Sequence, residues 1–189
     1  MPPRVLVTGF GPFEGFPNNP SAELAKRCGA RFEIVEVAYA TTREFLQGLD
    51  PGRFDVLLHM GVHHKATQMH LEVLAHNQVL SRPDVRGLEI AGGQVRKGSP
   101  AIQAGTLWPS LELESFLRDE PAVLSYHAGT YLCNFIYFES LCRFPDKRVG
   151  FLHVPSENAM SLDTQEKTLT KLVRLIEGCP SAKQPAGGR

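Results

Sequence analysis

Residues 4–20 read RVLVTGFGPFEGFPNNP, an apolar run that passes straight into glycines. A strand feeding a glycine turn is how a nucleotide-binding βα unit begins. In the dinucleotide fingerprint G-x-G-x-x-G, Gly9 and Gly11 take the first two positions. The third falls on Glu14, and Gly15 comes one residue late. Pro12 removes a backbone donor where a phosphate cradle needs one. A carboxylate at Glu14 would repel phosphate, and Pro17 and Pro20 delay any helix. No G-K-[ST] follows, so a P-loop is excluded as well. What remains is a strand-to-helix junction with Phe10, Phe13 and Phe16 set among glycines. Those rings either fill the core or wall an apolar pocket at the edge of a sheet.

Outward from this junction the chain alternates between two periodicities. Strand patterns fall at residues 5–8, 32–38, 54–60, 70–75, 122–126 and 149–154, and helix patterns at 21–28, 41–49, 109–118, 130–144 and 161–177. Ser21 is the expected N-cap of the first helix, with Glu23 in its first turn. The last helix is amphipathic, with Leu162, Leu169, Leu172, Val173 and Ile176 on one side. Residues 81–105 are rich in Gly, Pro and charge and read as an extended loop or short hairpin. Alternation of this kind predicts an α/β fold, a three-layer sandwich with a twisted, mostly parallel central sheet and helices on both faces. One domain over residues 1–180 is expected, with 181–189 a mobile C-terminal tail. Ligands of such sheets gather beyond the carboxyl ends of the strands. The junctions at 9–20, 61–67, 127–132 and from 155 onward are therefore the places for a site.

Composition narrows the classes of partner. The 189 residues carry 20 basic and 20 acidic side chains, a formal net charge of zero. That leaves no obvious basic surface for nucleic acid or an anionic membrane. No apolar run approaches the roughly 18 residues of a membrane span. The start lacks a signal peptide's long apolar segment, so a cytoplasmic location is expected. The four cysteines, Cys28, Cys133, Cys142 and Cys179, show no C-x-x-C spacing and read as reduced thiols.

One of the four has a distinctive setting. In 127–135, HAGTYLCNF, Gly129 permits a tight turn from strand to helix and Cys133 falls in the first helical turn. Backbone N–H groups and the positive dipole end favour a thiolate there and can stabilise an oxyanion. The same position suits a small buried apolar residue. His153 ends a buried strand, pointing to the ligand edge as a base for a cysteine or as a structural histidine. Glu72 interrupts the apolar stretch of Leu71, Val73 and Leu74 and needs a partner, either an imidazolium or an arginine. His63 and His64 suggest metal, but neighbours on an extended chain point apart, so they read as surface histidines and no metal is assigned.

Taken together these segments resemble the pyroglutamyl peptidase I (pyrrolidone-carboxylate peptidase) family of cysteine peptidases. Val7–Phe13 followed by Asn19–Ser21 is similar to that family's N-terminal signature. Residues 128–134, AGTYLCN, resemble its nucleophile motif, and 151–155, FLHVP, its histidine motif. Leu71-Glu72 with His76-Asn77 resembles the segment that holds its carboxylate. The matches run in order from residue 5 to about 177. The resemblance implies a cofactor-free hydrolase that removes an N-terminal pyroglutamyl residue from peptides. Cys133 would be the nucleophile, His153 the general base and acid, and Glu72 the orienting carboxylate. Phe10, Phe13 and Leu132 would line the lactam pocket. The Cys133 amide and Arg82 would hold the oxyanion. A homo-oligomer, dimer or tetramer, is also implied. The chain departs from many bacterial members at residues 62–66, VHHKA, where they carry A-G-G-R, and again over 82–107. The alternatives are a binding or structural protein on the same fold, or a related amidohydrolase of altered specificity.

Overall fold

A computed structural model of the chain describes residues 1–13 and 15–179; Glu14 and the expected tail at 181–189 lie outside the described residues. The elements in order are β1 (Val5–Phe10), α1 (Pro20–Arg27), β2 (Arg31–Val35), α2 (Tyr39–Gly48), β3 (Val56–Val62), β4 (Met69–Glu72) and β5 (Leu74–His76). They continue with β6 (Ile102–Ala104), α3 (Glu114–Asp119), β7 (Ala122–Ser125), α4 (Leu132–Arg143), β8 (Arg148–Val154) and α5 (Leu162–Gly178).

Six strands form one sheet in the order β2-β1-β3-β8-β4-β7, and β5 pairs with β6 in a small antiparallel sheet. Neighbouring strands of the main sheet are parallel except for β4 against β8. Each central strand is apolar on both faces because helices cover both. On one face Leu6, Leu57, Val149 and Phe151 pack with Tyr39 and Leu46 of α2 and with Phe135, Ile136 and Phe138 of α4. On the other, Val7, Leu58, Met60 and Leu152 meet Leu24 of α1, Phe116 of α3 and Leu169, Leu172 and Ile176 of α5. The mostly parallel sandwich is the fold that the strand-helix alternation predicts.

Several details differ from the sequence reading. Asn19, not Ser21, caps α1: its Oδ1 accepts from the Ser21 amide at 3.1 Å, and Pro20 occupies the first helical position. The expected strand at 70–75 is two strands, since the chain breaks at Val73 and turns from the main sheet into the small one. The helix expected at 109–118 is a 3-10 turn (Trp108–Ser110) followed by the short α3. Pro109 fits the first turn of a helix, but no side chain caps either piece. Ser161 does cap α5, its hydroxyl accepting from the Thr164 amide.

The end of β1 is held tightly against α1. A Cβ at Gly9 would collide with the backbone of Ser21, so the strand and the helix touch main chain to main chain. The Phe10 amide donates to Ser21 Oγ at 3.0 Å, and Asn19 Nδ2 donates to the Gly11 carbonyl at 3.0 Å. The strand-to-helix junction is thereby closed on itself.

Candidate active site

The register of the sheet brings three side chains to one face. Gly61 of β3 lies beside His153 of β8, and His70 of β4 lies on its other side. Glu72 is opposite Phe151, two residues along from His153, and side chains two apart on a strand share a face. Glu72 is fully buried, and its Oε1 lies 2.7 Å from His153 Nδ1. That bond leaves Nε2 of the same ring for a second partner. Cys133, in the first turn of α4, lies over this face. A Cβ on Gly61 would meet Cys133 Sγ at 2.8 Å, so the absence of a side chain at residue 61 makes room for the thiol.

The electrostatics follow from this packing. Burial disfavours charge on the His153 ring, but the neighbouring Cys133 and the Glu72 carboxylate bonded to it favour charge more strongly. Its pKa is pushed up to about 9. Burial also disfavours ionised Glu72, yet the contact with His153 holds its carboxyl below the usual range. Glu72 Oε2 is buried with Ser125 beside it, and among the described residues it makes no hydrogen bond of good geometry. The setting therefore favours the charged form of the ring beside the Glu72 carboxylate.

No side chain caps α4, whose N-cap is Tyr131. The first-turn amides around Cys133 therefore face the cleft unopposed by a capping group. Gly129 adopts φ +81°, which bends the chain between β7 and the helix, and His127 Nδ1 accepts from the Gly129 amide. Asn134 ties the start of α4 down. Its Oδ1 accepts from the His76 amide, and its Nδ2 donates to the carbonyls of His76 and Gln78.

A cavity of about 340 Å³ opens in front of Cys133 and His153. Phe10, Phe13, Leu132 and Arg82, all singled out from the sequence, line it. Phe10 and Leu132 are almost fully buried, so they serve the core and the wall at once. Phe13 and Phe16 stack with ring centroids 5.0 Å apart across a tight turn in which their backbones bond to each other. The Arg82 guanidinium rests 4.5 Å above the Tyr131 ring. Its loop is anchored by Asp84, whose carboxylate accepts from the Tyr39 amide at the start of α2 and from the Arg86 and Leu88 amides.

Phe16, one of the three rings offered as a pocket wall, lines the cavity as well; Asn19, Val37, His63 and His64 also line it and were given no site role from the sequence. His64 is exposed, as the sequence suggested, but His63 is not a surface side chain and the two rings do not point apart. The chain turns here, with the Ala66 amide bonded to the His63 carbonyl, and the two rings stack at 5.9 Å. His63 is half-buried and meets His153 edge-on at 5.3 Å. Burial and the nearby His153 charge hold its pKa below the ordinary histidine value. The position of residue 63 at the carboxyl end of β3, where ligands of parallel sheets gather, was the available signal.

Comparison with known proteins places the fold. The sequence profile of the family described as pyroglutamyl peptidase matches residues 3–175. The pyrrolidone-carboxylate peptidase of Thermococcus litoralis is 30% identical over 94% of this chain and 84% of its own. That of Clavibacter michiganensis is 32% identical over 92% and 89%. Among solved structures, pyroglutamyl peptidase I from Bacillus amyloliquefaciens superposes with a TM-score of 0.82 at 27% identity, covering 99% of this chain and all of that one. A fold, a cysteine at an uncapped helix start and a profile spanning nearly the whole chain converge: the protein belongs to the pyroglutamyl peptidase family.

Proposed function

We propose that the protein is a cysteine exopeptidase that hydrolyses the bond after an N-terminal pyroglutamyl residue, with Cys133, His153 and Glu72 as its catalytic group. The observation that carries this reading is His153 Nδ1 at 2.7 Å from the buried Glu72 Oε1, with the Cys133 thiol resting over Gly61, the residue beside His153 in the sheet. The carboxylate on one ring nitrogen orients the imidazole and favours its charged form, and leaves the other nitrogen for the thiol.

The chemical steps use that arrangement directly. The Cys133 thiolate attacks the carbonyl that joins the lactam to the next residue, and the C–N bond breaks after the tetrahedral intermediate forms. The Cys133 amide and Arg82 are assigned to the oxyanion of that intermediate. His153 Nε2 gives its proton to the leaving amine, then takes one from the water that hydrolyses the thioester. Glu72 stays ionised throughout and holds Nδ1–H. Pyroglutamate has no free α-amine, so the site needs no anionic anchor for one. A flat neutral ring suits the apolar end of the cavity, where Phe10, Phe13 and Phe16 converge. The peptide continues past His153 towards His63 and His64. A reduced thiol is required, which suits a cytoplasmic setting, and among the described residues all four cysteines are free.

The test is release of a fluorophore from a pyroglutamyl-anilide under reducing conditions. Wild-type protein is expected to release it, and Cys133→Ser to lose at least about a thousandfold in kcat with an unchanged circular dichroism spectrum. Folded, reduced wild type without turnover would return the chain to the reading of a binding protein on the same fold.

A further inference from the structure

The carboxylate of Glu72 has one side-chain partner of good geometry, His153. One bond orients a carboxylate poorly, so its position must be set through the main chain. The chain at that point is a strand end: β4 stops at Glu72 and β5 starts at Leu74. Two buried side chains from elsewhere converge on the Glu72 carbonyl. Tyr137 donates its hydroxyl to that oxygen at 2.8 Å, and Trp108 donates its indole N–H to it at 2.8 Å. The oxygen's two lone pairs are then both in use.

Tyr137 lies four residues after Cys133 on α4, and side chains four apart share a helix face. One face of α4 therefore presents the thiol in its first turn and a hydroxyl gripping the carboxylate's backbone one turn later. The fold makes room for that hydroxyl. A Cβ at Gly105 would collide with the Tyr137 oxygen. The Tyr137 ring is fully buried and packs 5.8 Å from Phe151, which itself meets His153 at 4.8 Å. Burial pushes the Tyr137 hydroxyl pKa up, so it stays a proton donor at any working pH.

We infer that Tyr137, supported by Trp108, is a positioning residue of the catalytic group: through the Glu72 carbonyl it makes α4 hold nucleophile and carboxylate at a set spacing across His153. This inference rests on the peptidase reading of that group. It acts through Glu72 alone, since the Tyr137 oxygen is bonded to main chain. Removing the hydroxyl leaves Trp108 as the one side-chain donor on that carbonyl and the strand end tied by its ladder alone on the α4 side, which loosens the carboxylate–imidazole contact and the hold on the thiol.

The experiment compares wild type with Tyr137→Phe and Trp108→Phe by two readouts. The first is the pH dependence of iodoacetamide alkylation at Cys133, resolved from the other cysteines by peptide mass spectrometry, which needs no substrate. The second is steady-state kinetics on the pyroglutamyl-anilide. In each variant, alkylation at pH 6 is expected to slow about threefold, with its inflection moved to higher pH, as befits one lost hydrogen bond. kcat is expected to fall about fivefold at unchanged KM. A structural role would lower the melting temperature without moving the alkylation profile. Profiles superimposable on wild type in both variants overturn the inference, whatever the kinetics. A shifted profile in a protein whose wild type turns over no anilide upholds the brace while sinking the peptidase reading. Should Tyr137→Phe fail to fold, Trp108→Phe decides alone.

Discussion

At the residue scale, a glycine under the thiol does what no other residue can. The missing side chain of Gly61 is the space Cys133 Sγ occupies. Gly61→Ala would also press on the Phe151 ring at 3.0 Å, so the sulfur has nowhere easy to go. A displacement of a few tenths of an ångström in a nucleophile is costly to rate. Gly61→Ala is expected to cut kcat/KM by at least about tenfold while the far-ultraviolet spectrum is retained. Wild-type kinetics in that variant would show that the thiol does not react from this position. The three members of the proposed catalytic group were each legible as residue types, because Cys133, His153 and Glu72 stand out against apolar neighbours. Gly61 was not legible, because a glycine after a strand is ordinary and its meaning lies in what comes to rest above it from a helix far along the chain.

At the scale of elements, α2 has no cap of its own: its N-cap is Ala38, which offers no side-chain acceptor. Asp84 supplies the acceptor from a distant loop, bonding the Tyr39 amide at 3.0 Å. The same carboxylate shapes the loop that carries Arg82 to the cavity. Asp84→Ala is expected to cost about 1 kcal/mol in urea unfolding, the usual loss of a helix cap. Because Arg82 is tethered there, the same change should raise KM for the anilide, and an unaltered KM would detach the loop from substrate binding. The region 81–105 was read as loop or hairpin, and its anchoring escaped notice for a physical reason. Capping between segments far apart in sequence leaves no local pattern, whereas the Ser161 cap of α5 sits directly before its helix, within the span read as helical.

At the scale of the whole molecule, stability should depend on pH through three buried groups. His59 is fully buried between Thr8 Oγ1 at 2.7 Å and Ser140 Oγ at 2.8 Å, and burial drives its pKa down to about 3. In the unfolded chain it titrates near ~6.5, so between those values the unfolded state binds the extra proton. Stability therefore falls as pH drops below about 6.5, by up to about 1.4 kcal/mol per pH unit from this group. Glu72, held below its usual pKa, adds to the loss at the acid end. His153 has the opposite sign. Its raised pKa contributes stability that is complete below about 6.5 and is lost as pH climbs through about 9. Urea unfolding at pH 5, 7 and 9 should give the largest free energy at pH 7. His59→Gln, which keeps a hydrogen-bonding side chain without titrating, should shrink the drop from pH 7 to 5, and an equal drop would clear His59 of that role. The α/β sandwich was legible because strand and helix periods alternate. The direction of β4 and β7 was not, since a strand's pattern is the same read either way and only its neighbours decide how it runs.

The junction of β1 with α1 divides the cavity into a fixed and an adjustable part. The end lined by Phe10 is set by main chain against main chain at Gly9 and Ser21, with the Asn19 and Ser21 side chains bonded inward. Changes on the outer surface of α1 leave that contact intact. The rim beside His153, with His63 and His64, is made of side chains on a turn. Variation among descendants of this chain, natural or engineered, should accumulate at that rim and change which peptides can trail behind the ring. The preference for the ring itself should be inherited almost unchanged.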